Sequence, residues 1–208
     1  MLTLRLFRDQ LASGRSCVLP AAPRVLYAAH GRIEVSHAGS AAPIAPDSAW
    51  HGAGPCTIAG AGRGLRWELV VATAPREGEL VLEQAMDVTP AASWLMRCDR
   101  VDFDPGGVAL PHRHRGGGIR CLIAGALEVT VGEAPPKLVR PGGAWFESGR
   151  EPVLARASAT EPTSFIRVSI LPAEIKGQSS IMYVDPADAA RGRPRRYTVW
   201  VDAPIALT

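Results

Sequence analysis

The stretch GGVALPHRHRGGGIRCLIAG, residues Gly106–Gly125, decides how the rest of the chain is interpreted. It contains the only closely spaced histidine pair in the sequence, His112 and His114, directly before a run rich in strand-forming residues. Residues i and i+2 of a β-strand point to the same side, so both imidazoles of such a pair face one site. The stretch therefore predicts a strand that presents two histidines together.

The composition around this stretch points to an all-β protein. Of the 208 residues, 47% are hydrophobic, and 21 glycines and 18 prolines divide the apolar residues into short runs. Turn formers between short apolar runs are typical of strands joined by turns, and they leave little room for long helices. The length is compatible with one large domain or with two small ones.

The distribution of charge argues against a nucleic-acid partner. The formal net charge is +3, and the one local basic cluster lies near the C-terminus. The cluster consists of Arg191, Arg193, Arg195 and Arg196. It lacks the interleaved aromatic residues of a base-stacking surface, so we interpret it as a solvated loop.

The cysteines and the N-terminus indicate the compartment. Cys17, Cys56, Cys98 and Cys121 are widely spaced and form no CxxC pair, so we expect reduced thiols and neither a zinc knuckle nor a disulfide framework. The first residues lack the charged start and apolar core of a signal peptide, and no apolar run is long enough to span a bilayer. We therefore expect a cytoplasmic protein without a membrane partner.

The opening stretch has a counterpart nearer the N-terminus. Ile119–Val129 repeats the pattern of Val25–Val35, and the turn glycine Gly125 matches Gly31. Three further matches follow in the same order: Gly142–Pro152 with Asp47–Pro55, Val153–Ala157 with Cys56–Ala61, and Phe165–Leu171 with Leu65–Val71. Four ordered matches predict an internal duplication.

The duplication predicts two domains. We place the first at residues 1–80, with a structural role, and the second at 81–208, where it carries the histidine pair. From residue 172 onward the second domain extends beyond the repeat. In this extension Arg196–Asp202, RYTVWVD, has the composition of an edge strand, which we expect to pair with the first module or with another subunit. We expect a homodimer.

The spacing of the opening stretch resembles the first cupin motif, in which a glycine precedes an HxH pair and a later glycine ends the next strand. Five residues separate Gly106 from His112, and six residues separate Gly118 from Gly125. Pro141–Trp145, PGGAW, is similar to the start of the second cupin motif. The resemblance implies a bicupin: two tandem antiparallel barrels of jelly-roll type, also called a double-stranded β-helix.

The chain departs from the cupin pattern where the family places its other metal ligands. Gly118 occupies the place of the usual glutamate, and Val153 the place of the histidine in the second motif. The first module has no HxH pair, and its histidines are isolated; they are His30, His37 and His51. We expect these three to be polar surface residues.

Three interpretations of the histidine site compete. In the first, His112 and His114 bind a divalent metal such as Fe, Mn, Zn or Ni, with Glu147 as a third ligand or as an acid/base. In the second, one histidine is a metal-free general base beside Arg120, which strand alternation turns inward as an anchor for an anion. In the third, the barrel is a noncatalytic ligand-binding or assembly module.

Of these, the metal site is our main prediction. The resemblance implies metal-dependent chemistry on small organic acids or sugars, of the oxygenase, decarboxylase, lyase or isomerase type. We therefore expect an enzyme that acts on a small polar or anionic metabolite, with a divalent metal at His112 and His114.

Overall fold

The structure, a computed structural model, describes residues 1–191 and 195–207. Arg193, one member of the predicted basic cluster, lies outside the described residues. Those that are described form strands β1 to β17 and two short 3-10 helices, and none of them lies in an α-helix. The prediction of an all-β fold is confirmed.

The chain divides into two compact units: residues 1–90 with 205–207, and residues 91–204. The strands of the first unit are β1 (Leu2–Leu11), β2 (Ser16–Leu19), β3 (Arg24–His37), β4 (Ser40–Ile44), β5 (Ser48–Gly52), β6 (Cys56–Val71) and β7 (Glu79–Ala85). They form one antiparallel sheet in the order β4-β3-β6-β1-β7, to which β2 adds beside β6 and β5 beside β3. The predicted domain boundary after residue 80 falls within β7, which pairs with β1.

The second unit contains two five-stranded antiparallel sheets, ordered β13-β10-β15-β8-β17 and β12-β11-β14-β9-β16. Its strands are β8 (Trp94–Phe103), β9 (Val108–His114), β10 (Gly118–Ala124), β11 (Leu127–Val131), β12 (Lys137–Val139), β13 (Ala144–Glu147), β14 (Val153–Ala157), β15 (Thr163–Pro172), β16 (Ile181–Tyr183) and β17 (Arg195–Ile205). The 3-10 helices are Ala173–Ile175 and Pro186–Ala190.

The core of the second unit draws on both of its sheets. Phe103, Leu122 and Phe165 come from the first sheet, and Leu127 and Val153 from the second. The two sheets therefore face one another across a packed interior, as in a jelly roll. The histidine strand β9 lies in one of these sheets, and the strands β10 and β13 lie in the other.

The two units repeat the same strand pairing. Leu26 on β3 is the Cα partner of Trp50 on β5, and Arg120 on β10 is the partner of Trp145 on β13. The glycines that end the matched strands share a left-handed backbone, with φ of 76° at Gly31 and 72° at Gly125. The predicted duplication therefore appears as a repeat of register as well as of sequence.

The sequence match slips by one residue in its last segment. It sets Arg66 against Ile166, whereas the pairing sets Arg66 against Arg167, because Leu26 pairs with Arg66 and Arg120 with Arg167. In the first unit β6 runs as one long strand, while its counterpart in the second unit is divided into β14 and β15. The extra residues of that connection are not visible in a comparison of short motifs.

The prediction that the C-terminal strand pairs with the first module is wrong, whereas its pairing with another subunit stays a prediction. β17 lies beside β8 in the second unit itself, and only residues 205–207 group with the first unit. The other strand of the extension, β16, pairs with the histidine strand: Ile181 is the partner of His114, and Tyr183 the partner of His112. The extension therefore completes both sheets of the unit that carries the histidines.

Candidate functional site

Strand β9 brings His112 and His114 to one buried site. Each side chain is only 5% exposed. The ring centroids are 4.9 Å apart, and the rings stand almost perpendicular, at 87°. The i, i+2 spacing therefore places the two imidazoles side by side, inside the barrel rather than at its rim.

Hydrogen bonds orient both rings through Nδ1. His112 Nδ1 lies 2.7 Å from the carbonyl oxygen of Leu110, which can only accept, so Nδ1 carries the proton and Nε2 keeps a free lone pair. His114 Nδ1 lies 3.2 Å from Ser180 Oγ, a hydroxyl that can either donate or accept. Ser180 therefore permits either tautomer of His114.

Glu147, on β13, supplies a carboxylate to the histidines. Its Oε2 lies 3.3 Å from His114 Nε2, and its Oε1 accepts a hydrogen bond of 2.8 Å from Trp145 Nε1. Burial raises the pKa of Glu147, but the Arg120 guanidinium, the contact with His114 and the hydrogen bond from Trp145 together lower it by a larger amount. The net pKa lies below the usual value, so the carboxylate is ionised at neutral pH.

The histidines are neutral at the same pH. Burial lowers the pKa of His112, and it lowers the pKa of His114 to about 3 in spite of the neighbouring carboxylate. A neutral imidazole can offer its nitrogen lone pair to a cation, which an imidazolium cannot. The protonation states of His112, His114 and Glu147 are thus those of ligands.

Arg120 points into the same site, as strand alternation predicts, but it is already paired. Its Nη2 lies 2.7 Å from Glu147 Oε2, and its Nη1 donates to the carbonyl oxygen of Gly118 at 2.5 Å. Neither Arg120 Nη2 nor Glu147 Oε2 makes a well-aligned hydrogen bond, although both are buried. Burial lowers the pKa of Arg120 to about 10, so the guanidinium remains charged at neutral pH.

Arg120 belongs to a row of buried side chains that crosses the sheet. Its Cα partner on β15 is Arg167, and the partner of Arg167 on β8 is Asp99. Arg167 and Asp99 form a two-point ion pair, with contacts of 2.9 and 2.5 Å. Each of these two arginines therefore has its own carboxylate, Glu147 for Arg120 and Asp99 for Arg167.

No family model and no curated protein matches the chain. Several solved structures do match it. A cupin 2 conserved barrel domain protein from Leptotrichia buccalis is 16% identical, with a TM-score of 0.52 over 82% of this chain and 83% of that one. The 11S allergen of Cocos nucifera is 10% identical, with a TM-score of 0.58 over 88% and 83%. Salicylate 1,2-dioxygenase from Pseudaminobacter salicylatoxidans is 9% identical, with a TM-score of 0.58 over 95% and 75%.

The chain has the cupin fold. It is built as a bicupin, with two tandem antiparallel barrels, and the resemblance inferred from the opening stretch is confirmed at the level of the fold. At these low sequence identities the structural similarity establishes the fold only. Any activity has to be inferred from the residues of the site.

Gly118 is the point where this cupin site departs most from the motif. A Cβ atom built on Gly118 would lie 2.3 Å from the carbonyl oxygen of Val168 and 2.8 Å from the Cα atom of Ser169. Strand β15 thus approaches too closely for any side chain at this position. The carboxylate comes instead from Glu147, the Cα partner of Gly118 on the next strand.

Val153 stands beside the histidines, where the cupin pattern places a further ligand. It is the Cα partner of His112, on β14, and it lines the same cavity. Its side chain offers no donor atom, so this wall of the site is apolar. Val153 is part of the hydrophobic core at this position.

The donors fit a divalent metal, but their present arrangement does not enclose one. Two ligand atoms on one ion with bonds near 2.1 Å lie about 3.0 to 3.4 Å apart, which matches the 3.3 Å between His114 Nε2 and Glu147 Oε2. Within residues 1–191 and 195–207, however, no three His, Cys, Asp or Glu side chains are arranged to hold a metal. Arg120, a cation, already contacts the carboxylate that would serve as the third ligand.

Described residues around the histidines line two neighbouring cavities. The one between the histidines has a volume of about 20 Å³, enough for one ion or one water molecule. A second, of about 330 Å³, is large enough for a small organic molecule. Arg167 and Tyr197 line both cavities, and Ser180, the partner of His114, lines the larger one.

Sequence reasoning missed Arg167, Asp99 and Arg195. Arg167 could have been found from alternation along β15, since Phe165, Arg167 and Ser169 share one face. Arg195 was assigned to a solvated loop, and that assignment is wrong: it begins β17 and is only 8% exposed, whereas Arg196 beside it is exposed.

Over the described part of the chain, the structure contains no helix long and apolar enough to cross a membrane.

The isolated histidines of the first unit differ from one another in their exposure to solvent. His30 is exposed, while His37 and His51 are half-buried, and burial lowers the pKa of His51. Neither His37 nor His51 joins a cluster like that of His112 and His114.

Proposed function

We propose that the second barrel binds one divalent metal ion through His112 and His114, with Glu147 as the third ligand, and acts on a small polar or anionic metabolite. One observation carries the proposal: two neutral imidazoles with oriented rings stand beside an ionised, buried carboxylate. A solved neighbour with this fold is a dioxygenase that acts on salicylate. When bound, a divalent ion would supply Lewis-acid activation of the substrate or of water.

The surrounding residues would position the ligands. The carbonyl oxygen of Leu110 fixes the His112 ring, and the Ser180 hydroxyl can accept from Nδ1 when His114 uses Nε2 as a ligand. Trp145 Nε1 holds Oε1 of Glu147 and leaves Oε2 toward the histidines. The apolar wall at Val153 keeps this side of the site dry.

Metal-free acid/base chemistry is less well supported. A general base works best with a pKa near the operating pH, and the pKa of His114 is about 3. Glu147 is ionised at neutral pH, which suits a ligand or a base but not an acid.

A noncatalytic binding or assembly role is the second candidate. The ion pair between Arg120 and Glu147 favours it, because it neutralises the carboxylate without any metal. The small volume between the histidines favours it as well.

Metal content separates the two candidates. Protein purified without a histidine tag and incubated with Mn²⁺, Fe²⁺, Zn²⁺ or Ni²⁺ is expected to retain one ion per chain. The variants His112→Ala and His114→Ala should each lose it, because two ligands from the protein hold an ion poorly. His37→Ala, in the first unit, is the matched control and should retain the ion. Absence of stoichiometric metal from the unmodified protein under all four conditions would leave the noncatalytic role.

A further inference from the structure

Arg195 is a buried cation without a counter-ion. It lines the cavity that also contains His112, His114 and Glu147, and it is 8% exposed. Its Nε donates to the Tyr197 hydroxyl at 2.5 Å, while its buried Nη2 has no hydrogen-bond partner. In the described part of the chain, no carboxylate forms an ion pair with it.

The other arginines buried in this unit are paired. Arg97 forms a two-point pair with Asp202, and Arg120 and Arg167 have Glu147 and Asp99. An unpaired charge inside a protein is strongly unfavourable, and natural sequences seldom retain one unless something compensates it. A ligand that carries a compensating charge would therefore stabilise this unit by binding at Arg195.

The balance of charges around the cavity indicates whether that ligand carries a positive or a negative charge. The guanidinium groups of Arg120, Arg167 and Arg195 outnumber the carboxylates of Asp99 and Glu147 by three to two. A bound divalent metal would make the excess of positive charge larger. An anion is the ligand that removes it.

The guanidinium geometry narrows the anion to a carboxylate or a group of similar shape. A planar fork of N–H donors matches the two oxygens of a carboxylate, and Nη2 of Arg195 is buried without a hydrogen-bond partner. The small cavity takes one oxygen atom, and the adjoining cavity of about 330 Å³ shares the Tyr197 wall and has space for the rest of an organic molecule.

We propose that Arg195 binds the carboxylate of a small organic anion at the histidine site. The inference deepens the proposed function and rests on it for the statement that this anion is the substrate. Anion binding itself requires no metal. Arg195, rather than the paired Arg120, is then the residue that anchors the anion.

The test uses metal-free protein, with acetate as the probe and acetamide as its neutral counterpart. Acetate, at constant ionic strength, should raise the thermal midpoint and shift the NMR signals of site residues, while acetamide should do neither. Arg195→Gln should weaken acetate binding at least about tenfold. Arg196→Gln is the matched control, since Arg196 is an exposed neighbour paired with Asp104, and it should bind acetate as the unmodified protein does.

Stability gives a second measurement. In acetate-free buffer Arg195→Gln should unfold at the same temperature as the unmodified protein or higher, because it removes an uncompensated buried charge. Arg195→Lys keeps the charge but loses the fork, so it should bind acetate more weakly than arginine does.

Three results would overturn the proposal: equal effects of acetate and acetamide on the unmodified protein, unchanged acetate affinity in Arg195→Gln, or undiminished affinity in Arg195→Lys. None of them depends on a metal. The experiments can therefore refute the anion proposal without refuting the metal proposal, and the reverse also holds.

Discussion

At the scale of the residue, Arg120 already contacts the carboxylate that the proposed metal ion would use. Arg120 Nη2 and His114 Nε2 both lie against Glu147 Oε2, at 2.7 and 3.3 Å. A guanidinium in this position neutralises Glu147 while the site holds no metal. A metal that uses Oε2 has to displace it.

Replacing Arg120 with leucine should therefore lower stability and strengthen metal binding. Without the guanidinium, Glu147 is a buried carboxylate without its main partner, which costs about 3–5 kcal/mol. A bound divalent ion should restore much of this, so Mn²⁺ should raise the thermal midpoint more for Arg120→Leu than for the unmodified protein. Calorimetric titration with Mn²⁺ should give the variant a smaller dissociation constant.

The double variant Arg120→Leu with Glu147→Gln is the control for this prediction. It removes both charges, so it should recover stability without metal and gain nothing from Mn²⁺. An equal response to Mn²⁺ in Arg120→Leu and in the unmodified protein would contradict the competition.

Gly118 shows how far sequence alone reaches at this scale. Motif spacing places no ligand at this position, and the HxH pair predicts that two imidazoles lie side by side, as they do in the structure. The spacing does not show that β15 leaves no room for a Cβ atom at Gly118, nor that Glu147 lies opposite it. Both facts depend on the register between strands distant in sequence, which no local pattern contains.

At the scale of the element, β17 holds the C-terminal extension onto the barrel. Asp202 on this strand pairs with Arg97 on β8 and accepts a hydrogen bond of 2.7 Å from the backbone nitrogen of Gly177. Arg97 in turn donates to the carbonyl oxygens of Gln178 and Ile175. Three segments therefore meet at the pair of Arg97 and Asp202.

This pair should make the stability of the second unit depend on pH. Burial raises the pKa of Asp202, but the hydrogen bonds from Arg97 and Gly177 lower it by a larger amount. The net pKa lies below the usual value of an aspartate. A carboxyl with a lowered pKa in the folded state stabilises the fold above its unfolded pKa, about 3.9, and loses that effect as the pH falls through the folded value. Asp202→Asn should therefore be less stable than the unmodified protein at pH 7.

The difference between Asp202→Asn and the unmodified protein should shrink as the pH falls below about 4. Urea unfolding at a series of pH values, followed by near-ultraviolet circular dichroism, measures it. Asp104→Asn is a suitable control, because Asp104 is exposed and its pair with Arg196 is a surface contact worth little. A difference that stays constant from pH 7 to pH 3 would contradict the role of the charge.

The extension also shows what sequence composition can and cannot predict about an element. Its strand character was predicted from RYTVWVD, but not its partner or the burial of Arg195. Composition reports how readily a segment becomes a strand. The neighbour it selects depends on which sheet edge the rest of the fold leaves open.

At the scale of the whole molecule, the two barrels treat their interior charges differently. The first unit buries three arginines, Arg5, Arg24 and Arg66, and each has a carboxylate partner. Arg24 occupies the register position that Gly118 has in the second unit, since its Cα partner is Gly52 where that of Gly118 is Glu147. The first barrel thus places an arginine of an ion-pair network at the position where the second has a glycine without room for a side chain.

Glu68 is the centre of that network, and its loss should separate the roles of the two units. Its Oε1 lies 2.7 Å from Arg24 Nε and 2.7 Å from Arg66 Nη1, and all three side chains are buried. Glu68→Gln should destabilise the protein by about 3–5 kcal/mol, because two buried guanidinium groups lose a shared counter-ion.

The same variant should bind divalent metal and acetate as the unmodified protein does, since every residue of the proposed site belongs to the second unit. Thermal unfolding together with titration of Mn²⁺ and acetate below the unfolding temperature measures both effects. Weakened metal or anion binding in folded Glu68→Gln would show that the first barrel contributes to the site. Unchanged binding with lowered stability would assign the first barrel the structural role that its paired charges indicate.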